Sequence, residues 1–282
     1  MFAEESKEAS FLRRFSWVVV TGGSSGIGAE FLRAIDSLAP GAVVCNLSRS
    51  RPAAFTESER RRHFPCDLEN LDDLQGVAGQ LLALIVGASC EGPVLLVNNS
   101  GFGAYGEFPD PSPGHNASMV DLNCRAPVLL TGLLWPEIHR RGGQIVNVAS
   151  LAAYQPTPFL ATYAATKAFL LDWSLALDAE GRSHGIRSLA VCPGPTATNF
   201  FRRAGFGEAP VPGYGLTPQQ VVRESIRAMA RGKSQVVNGL PNKMLAAFSQ
   251  RVPKPFAARL GWRLMARLRL KPLREAKSRA AR

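Results

Sequence analysis

Short apolar runs alternate with stretches of helical periodicity along most of this 282-residue chain, and that alternation leaves few architectures open. The runs are Trp17–Val20, Ala42–Leu47, a polar Arg62–Phe64 leading to Cys66, Pro93–Asn98, Gln144–Ala149, Arg187–Cys192 and a short last one, Gln235–Leu240. Runs of this length, rich in Val, Ile and Leu, read as strands buried on both faces. Strands alternating with helices predict one α/β domain: a doubly wound parallel sheet of about seven strands, with helices on both faces. The hydrophobic content, 46%, is enough to bury such a core as a single domain. No internal repeat or low-complexity segment interrupts it. In open sheets of this kind ligands bind at the carboxyl ends of strands, where Gly22, Asn98, Ser150 and Pro193 fall.

The first strand runs straight into Thr21-Gly-Gly-Ser-Ser-Gly-Ile-Gly28, and Ala29–Ile35 follows with helical periodicity. Strand, glycine-rich turn and helix form the context that a dinucleotide site requires. Glycines let the backbone approach a pyrophosphate, and the helix N-terminus offers free N–H groups and the positive end of its dipole. The tight spacing of Gly26 and Gly28 suits close contact between helix and sheet.

Downstream, Tyr163 and Lys167 stand four residues apart, on one face of a predicted helix. Ser150 lies thirteen residues earlier, at the end of the strand-like Gln144–Ser150 run. A free phenol titrates near pH ~10 and is a poor proton donor or acceptor at neutral pH. A neighbouring ammonium favours the phenolate and is expected to pull that value down. Hydroxyl, phenol and ammonium together form a device for moving a proton to or from a carbonyl oxygen. Alone, the Tyr-x-x-x-Lys spacing is common, and a surface lysine on an amphipathic helix is the plain alternative.

With both pieces in place, the chain resembles the short-chain dehydrogenase/reductase family, and the resemblance spans roughly Trp17 to Leu240. Thr21-Gly22-x-x-x-Gly26-Ile27-Gly28 matches the family's cofactor loop, with Ser24 and Ser25 inside it. Cys66-Asp67-Leu68 sits where the family places an aspartate near the adenine. Asn98-Asn99-Ser100-Gly101 stands for the usual N-N-A-G, with Ser100 in place of alanine. Asn123 falls at the helix asparagine of the catalytic tetrad, which Ser150, Tyr163 and Lys167 complete. Pro193-Gly194, with Thr196 and Thr198 following, matches the segment that contacts the nicotinamide end. Local similarity in Asn99–Gly106 and Gln144–Lys167 is nearest to a bacterial subgroup with a basic C-terminal extension, related to 17β-hydroxysteroid and long-chain 3-ketoacyl reductases.

The resemblance implies a Rossmann-type fold and carbonyl–alcohol redox chemistry. Tyr163 would donate a proton to the carbonyl oxygen, and Lys167 would lower the phenol's pKa and hold the ribose hydroxyls. Ser150 would orient the carbonyl and stabilise charge developing on its oxygen. Asn123 would position a water in a relay toward Lys167. Pairing through the helices that carry Asn123 and Tyr163 is also implied, giving a homodimer or homotetramer. A non-catalytic nucleotide-binding sensor or scaffold is the alternative, and the complete Asn123–Ser150–Tyr163–Lys167 set argues against it.

The end of the second strand bears on the choice of cofactor. An NAD site normally carries an acidic residue there to bind the ribose 2′-hydroxyl. Here Ser48-Arg49-Ser50-Arg51 brings no carboxylate, and the Arg49 guanidinium suits a 2′-phosphate. The pattern favours NADP(H) over NAD(H).

Two segments are expected to shape the substrate pocket: Ala152–Leu160, and Asn199–Phe206 running on to Pro210–Gly215. Their aromatics point to a small lipophilic carbonyl substrate rather than a sugar or a polar acid, with the second segment as a flap.

The formal net charge of +11 resides in the tail: Lys243–Arg282 holds 12 Lys/Arg against one acid, Glu275. Three stretches are therefore expected: an N-terminal lead over 1–16, the catalytic domain over 17–240 and a basic extension over 241–282. Within Phe256–Leu270, Arg259, Arg263 and Arg267 recur every four residues. Leu260, Leu264, Met265 and Leu268 gather on a largely separate face, with Trp262 near the boundary. Such a helix suits an anionic membrane surface. It equally suits packing on its own domain or across an oligomer interface, and both readings stay open. No nucleic-acid-binding module accompanies the charge, and none is expected to bind.

Five cysteines and four histidines show no metal-ligand spacing, so no metal is expected. The N-terminal residues lack the basic-then-apolar pattern of a signal peptide. The longest apolar stretches, such as Leu81–Cys90, are too short to cross a bilayer. A cytoplasmic protein, with peripheral membrane association as an option, is the expectation.

Overall fold

The computed structural model describes residues 2–205 and 215–264. Helix α1 (Phe2–Arg13) leads into strand β1 (Trp17–Thr21) and helix α2 (Gly26–Leu38). Then come β2 (Val43–Ser48), β3 (Arg61–Pro65), α3 (Leu71–Gly87) and β4 (Val94–Asn98). The second half runs α4 (Pro113–Val120), α5 (Ala126–Arg141), β5 (Gly143–Val148), α6 (Ala161–Gly181) and β6 (Ile186–Cys192). It closes with α7 (Phe200–Arg203), α8 (Pro218–Ala230), β7 (Gln235–Val237) and α9 (Leu240–Ser249). A further helical segment covers 254–264.

All strand pairs are parallel, in the order β3-β2-β1-β4-β5-β6-β7. This is the expected doubly wound sheet, Rossmann-like in its strand order. Alternate residues of each strand face opposite layers. Val18, Val20, Val44, Leu95 and Val97 pack with Phe31 and Ile35 of α2 and with Val222 and Ile226 of α8. Trp17, Val19, Cys45, Leu96 and Ile145 meet Leu81 and Ile85 of α3 and Leu134 and Ile138 of α5. The order reverses between β1 and β4, and the crevice at that reversal is where such sheets take ligands.

Two segments differ from the sequence reading. The last strand is shorter than Gln235–Leu240: Gly239 turns the chain at φ +80, and Leu240 already begins α9. The N-terminal lead is helical, and α1 packs against α2 and α8, burying Leu12 and Phe15 in the core. Of the amphipathic pattern in the tail, Met265, Arg267, Leu268 and Leu270 lie outside the described residues. The same holds for Phe206 and for residues 210–214 of the flap.

Candidate active site

The glycine turn between β1 and α2 is shaped by what surrounds it. Gly22 and Gly26 adopt φ +70 and +59, values that L side chains rarely hold. A Cβ on Gly22 would also lie 2.7 Å from Ser100 Oγ. The turn is tied to the sheet by Thr21, whose hydroxyl donates to the Val97 carbonyl and accepts from the Asn99 and Ser100 N–H groups. Asn99 Nδ2 in turn donates to the Thr21 and Gly22 carbonyls, at 2.9 and 3.2 Å. Ser25 precedes α2 without capping it by its side chain, so the first-turn N–H groups face the crevice as an anion site. These features fit a dinucleotide pyrophosphate.

The crevice opens into a cleft of about 870 Å³. Of the residues singled out from sequence, Gly22, Ser24, Ser25, Gly26, Ile27, Ser48, Arg49, Asp67 and Leu68 line its nucleotide end. Asn99, Ser100, Gly101, Ser150, Tyr163, Lys167, Pro193, Gly194, Thr196 and Thr198 line the remainder. Thr21, Gly28 and Asn123 do not reach the cleft wall. Thr21 is buried as the strut just described. Gly28 packs against the Gly22 carbonyl and the Asn99 amide, where no Cβ would fit.

Asn123 sits in a π-helical turn, Asp121–Arg125, between α4 and α5. Its Oδ1 accepts from the Phe102 N–H, and its Nδ2 donates to the Phe102 carbonyl and to Thr166 Oγ1. Both amide protons are therefore engaged with the protein. Thr166 Oγ1 passes the link on to the Tyr163 carbonyl at 2.8 Å, so Asn123 braces the Phe102 loop against α6.

Ser150 follows β5 in extended backbone and starts a short helical turn, its Oγ accepting from the Ala152 N–H. The Tyr163 phenol hydrogen-bonds Ser150, and Lys167 lies one turn further along α6 with its Nζ donating to the Val148 carbonyl at 2.8 Å. Burial pushes the Tyr163 phenol up to about 12, against the opposing Ser150 hydrogen bond. Burial also brings the Lys167 ammonium down to about 8, while the Cys124 and Cys192 thiols act the other way. The phenol thus lies above its ordinary value, not below it as expected beside Lys167, because burial outweighs the Ser150 hydrogen bond. A phenol at about 12 stays protonated at neutral pH.

Close approach shapes the rest of the floor. A Cβ on Gly101 would lie 2.8 Å from Asn123 Oδ1 and 3.2 Å from Lys167 Nζ. The Phe200 ring packs 5.3 Å from the Tyr163 ring and 5.6 Å from Phe201, so α7 brings two aromatics to the catalytic end. Gln155 donates to the Ser249 and Val252 carbonyls, tying the loop after Ser150 to the end of α9.

Some contributors were not singled out from sequence. Asn46, fully buried in β2, accepts from the Gly23 N–H at 3.0 Å and donates to Ser48 Oγ and His63 Nδ1. Its signal was available: a lone asparagine in an otherwise apolar strand has to find partners. His115, its ring tilted against that of Phe102 at 4.8 Å, and Leu245 and Ser249 of α9 also line the cleft. Nothing local marks them, because folding alone brings α4 and α9 to that wall. Among the described residues no group of three His, Cys, Asp or Glu gathers as metal ligands would, and no helix is long and apolar enough to cross a membrane.

Comparison with known proteins agrees with this geometry. Residues 16–207 match the family described as short chain dehydrogenase. Dehydrogenase/reductase SDR family member 7B of Bos taurus is 29% identical over 269 residues, 88% of this chain and 80% of the relative. Ketoacyl reductase HetN of Nostoc sp. is 29% identical over 228 residues, 78% of this chain and 77% of the relative. Among solved structures, a short-chain dehydrogenase from Sphingobium yanoikuyae in complex with NADPH superposes with a TM-score of 0.71. It is 25% identical, over 84% of this chain and 94% of that one. A short chain dehydrogenase from Burkholderia cenocepacia in complex with NADP reaches 0.72 at 23% identity, over 88% and 98%. The chain belongs to the short-chain dehydrogenase/reductase family of oxidoreductases.

Proposed function

We propose that the protein is an NADP(H)-dependent reductase of a lipophilic ketone or ketoacyl chain, with Tyr163 as the general acid. One observation carries the reading: the Tyr163 phenol, hydrogen-bonded to Ser150, lines the same cleft as the glycine turn and Lys167. The nicotinamide, when bound, supplies the hydride. Ser150 holds the carbonyl oxygen, and Tyr163 delivers the proton to it as negative charge develops there. Lys167 presents its ammonium beneath, anchored on the Val148 carbonyl, where ribose hydroxyls can accept from it. Asn123 acts as a positioning residue, through Phe102 and Thr166.

NADP(H) is supported by Ser48 and Arg49 at the end of β2 and by the NADP(H) complexes of the similar structures. Ser48 Oγ donates to the Ser50 carbonyl, and Arg49 lies largely exposed, 3.9 Å from Glu69. A 2′-phosphate would draw that guanidinium into a bidentate pair stronger than this loose one. Phe200, Phe201, Phe102 and Leu245 support an apolar substrate. The catalytic unit in this reading is 17–240, with the lead and the described part of the extension packed on it. Assembly as a homodimer or homotetramer through α5 and α6 is supported by the exposed Val128 and Phe169, the latter stacked on Trp173.

The test is consumption of NADPH and of NADH across ketones of graded acyl length and steroid ketones. NADPH is expected to be oxidised with the higher kcat/KM, and that value to rise with apolar chain length. A clear preference for NADH overturns the cofactor reading, and a preference for small polar acids overturns the substrate reading.

A further inference from the structure

Fourteen large hydrophobic side chains are exposed among the described residues, and eight of them lie between Leu240 and Leu264. On α9 they fall four apart: Leu240 is 70% exposed, Met244 68% and Phe248 66%. That spacing makes one face of the helix. The opposite side buries Asn242 and Ala246 against the domain, so the apolar face points outward. The segment 254–264 repeats the arrangement with Phe256, Leu260 and Leu264 four apart, and Arg259 and Arg263 run alongside. A soluble protein rarely exposes so concentrated an apolar surface without a use for it.

The charge around that surface is predominantly positive. Beside α9, a groove of about 730 Å³ against α8 and β7 is lined by Arg231, Lys233, Lys243 and Arg251. Glu224 is the acid in its wall, and its carboxylate is occupied by the Asn238 amide and the Gly239 N–H. Lys254 follows directly. Apolar residues to insert and cations to face headgroups match an anionic bilayer surface. A protein partner of complementary shape needs no such predominantly basic rim.

We infer that α9 and the 254–264 helix dock the protein on an anionic lipid bilayer. A flank of α9 supplies the half-exposed Leu245 and Ser249 to the cleft wall, and Gln155 ties that end of the helix to the loop after Ser150. Docking therefore brings the cleft next to the lipid. Direct supply of an apolar ketone from the bilayer rests on the reductase reading above, whereas docking itself does not.

The experiment is sedimentation of the full chain with vesicles of phosphatidylcholine carrying about a third phosphatidylserine, against pure phosphatidylcholine. Binding is expected to the anionic vesicles alone and to fall as salt rises. The K243Q/R251Q variant should lower partitioning roughly thirtyfold, from about 1 kcal/mol per basic residue near such a surface. The M244D/F248D variant should lower it at least about tenfold, with melting temperature, mass in solution and NADPH binding unchanged. Wild-type protein that ignores anionic vesicles overturns the inference. So does an M244D/F248D variant that melts several degrees lower, which would mean that the face is covered by the chain itself. Loss of a dimer in that variant, by light scattering, overturns it in favour of a second copy. Because no substrate is present, failure here leaves the reductase reading intact, and a ketone panel without turnover leaves docking intact.

Discussion

Burial acts on Tyr163 and Lys167 in opposite directions, and the consequences for catalysis can be separated. The phenol, pushed up to about 12, keeps its proton throughout the neutral range and is available as a donor. Replacing Tyr163 by Phe removes the donor while keeping the ring against Phe200. Turnover is expected to fall about a thousandfold or more, with NADPH affinity, read by fluorescence titration, changed little. Surviving turnover would remove Tyr163 as the acid. Lys167 titrates at about 8, below the ordinary lysine value, so it is an ammonium below that pH and an amine above it. The KM for NADPH should therefore rise as pH rises through about 8, a window in which Tyr163 contributes no change. The residue types and spacing of this set are legible in the chain. The direction of the phenol's shift is not, because it depends on how completely tertiary packing dries the site.

At the scale of elements, α5 shows how a helix end is held in place. Glu137 bonds Arg140 and Arg141 within the last turns, and Arg141, its side chain fully buried, also donates to the Ile85 carbonyl of α3 and to the Cys90 carbonyl before β4. These guanidinium bonds hold the Glu137 carboxyl at about 2, well below the usual carboxylate range. The stabilisation that follows from a depressed value is present at neutral pH and is lost as pH falls from the ordinary carboxylate range through about 2. Glu137→Gln should cost about 3 kcal/mol at neutral pH, the low end for breaking a buried pair, since Arg141 keeps its two carbonyl partners. Denaturant melts should show that gap closing as the medium is acidified toward that value. A constant gap would mean that the carboxylate's charge is not what stabilises. The π turn that carries Asn123 belongs to this scale too. A strand pattern or a helix period announces an element, but the extra residue in one helical turn leaves no periodic trace in the Pro113–Arg141 stretch.

For the molecule as a whole, the outward faces of α5 and α6 and that of α9 lie on separate elements, and each leaves apolar side chains in water. Phe169→Glu places a charge on the proposed α5–α6 interface and should shift the protein from dimer or tetramer toward monomer in light scattering, with vesicle binding retained. An unchanged mass would remove that interface. The sheet, its seven parallel strands and the glycine turn were legible because each follows from periodicity or from a glycine that a local turn requires. The Ser150–Tyr163–Lys167 spacing was legible for the same reason, since a strand end and a helical turn place those groups by local geometry. Three things were decided only in three dimensions. Asn123 was turned inward to brace Phe102 and Thr166, α9 was brought round so that Leu245 and Ser249 wall the cleft, and the lead packed Leu12 and Phe15 into the core. Each depends on contacts between residues far apart in the chain. Local patterns set which elements form, and only the closing of the core selects which of their faces are dried, paired or left to water.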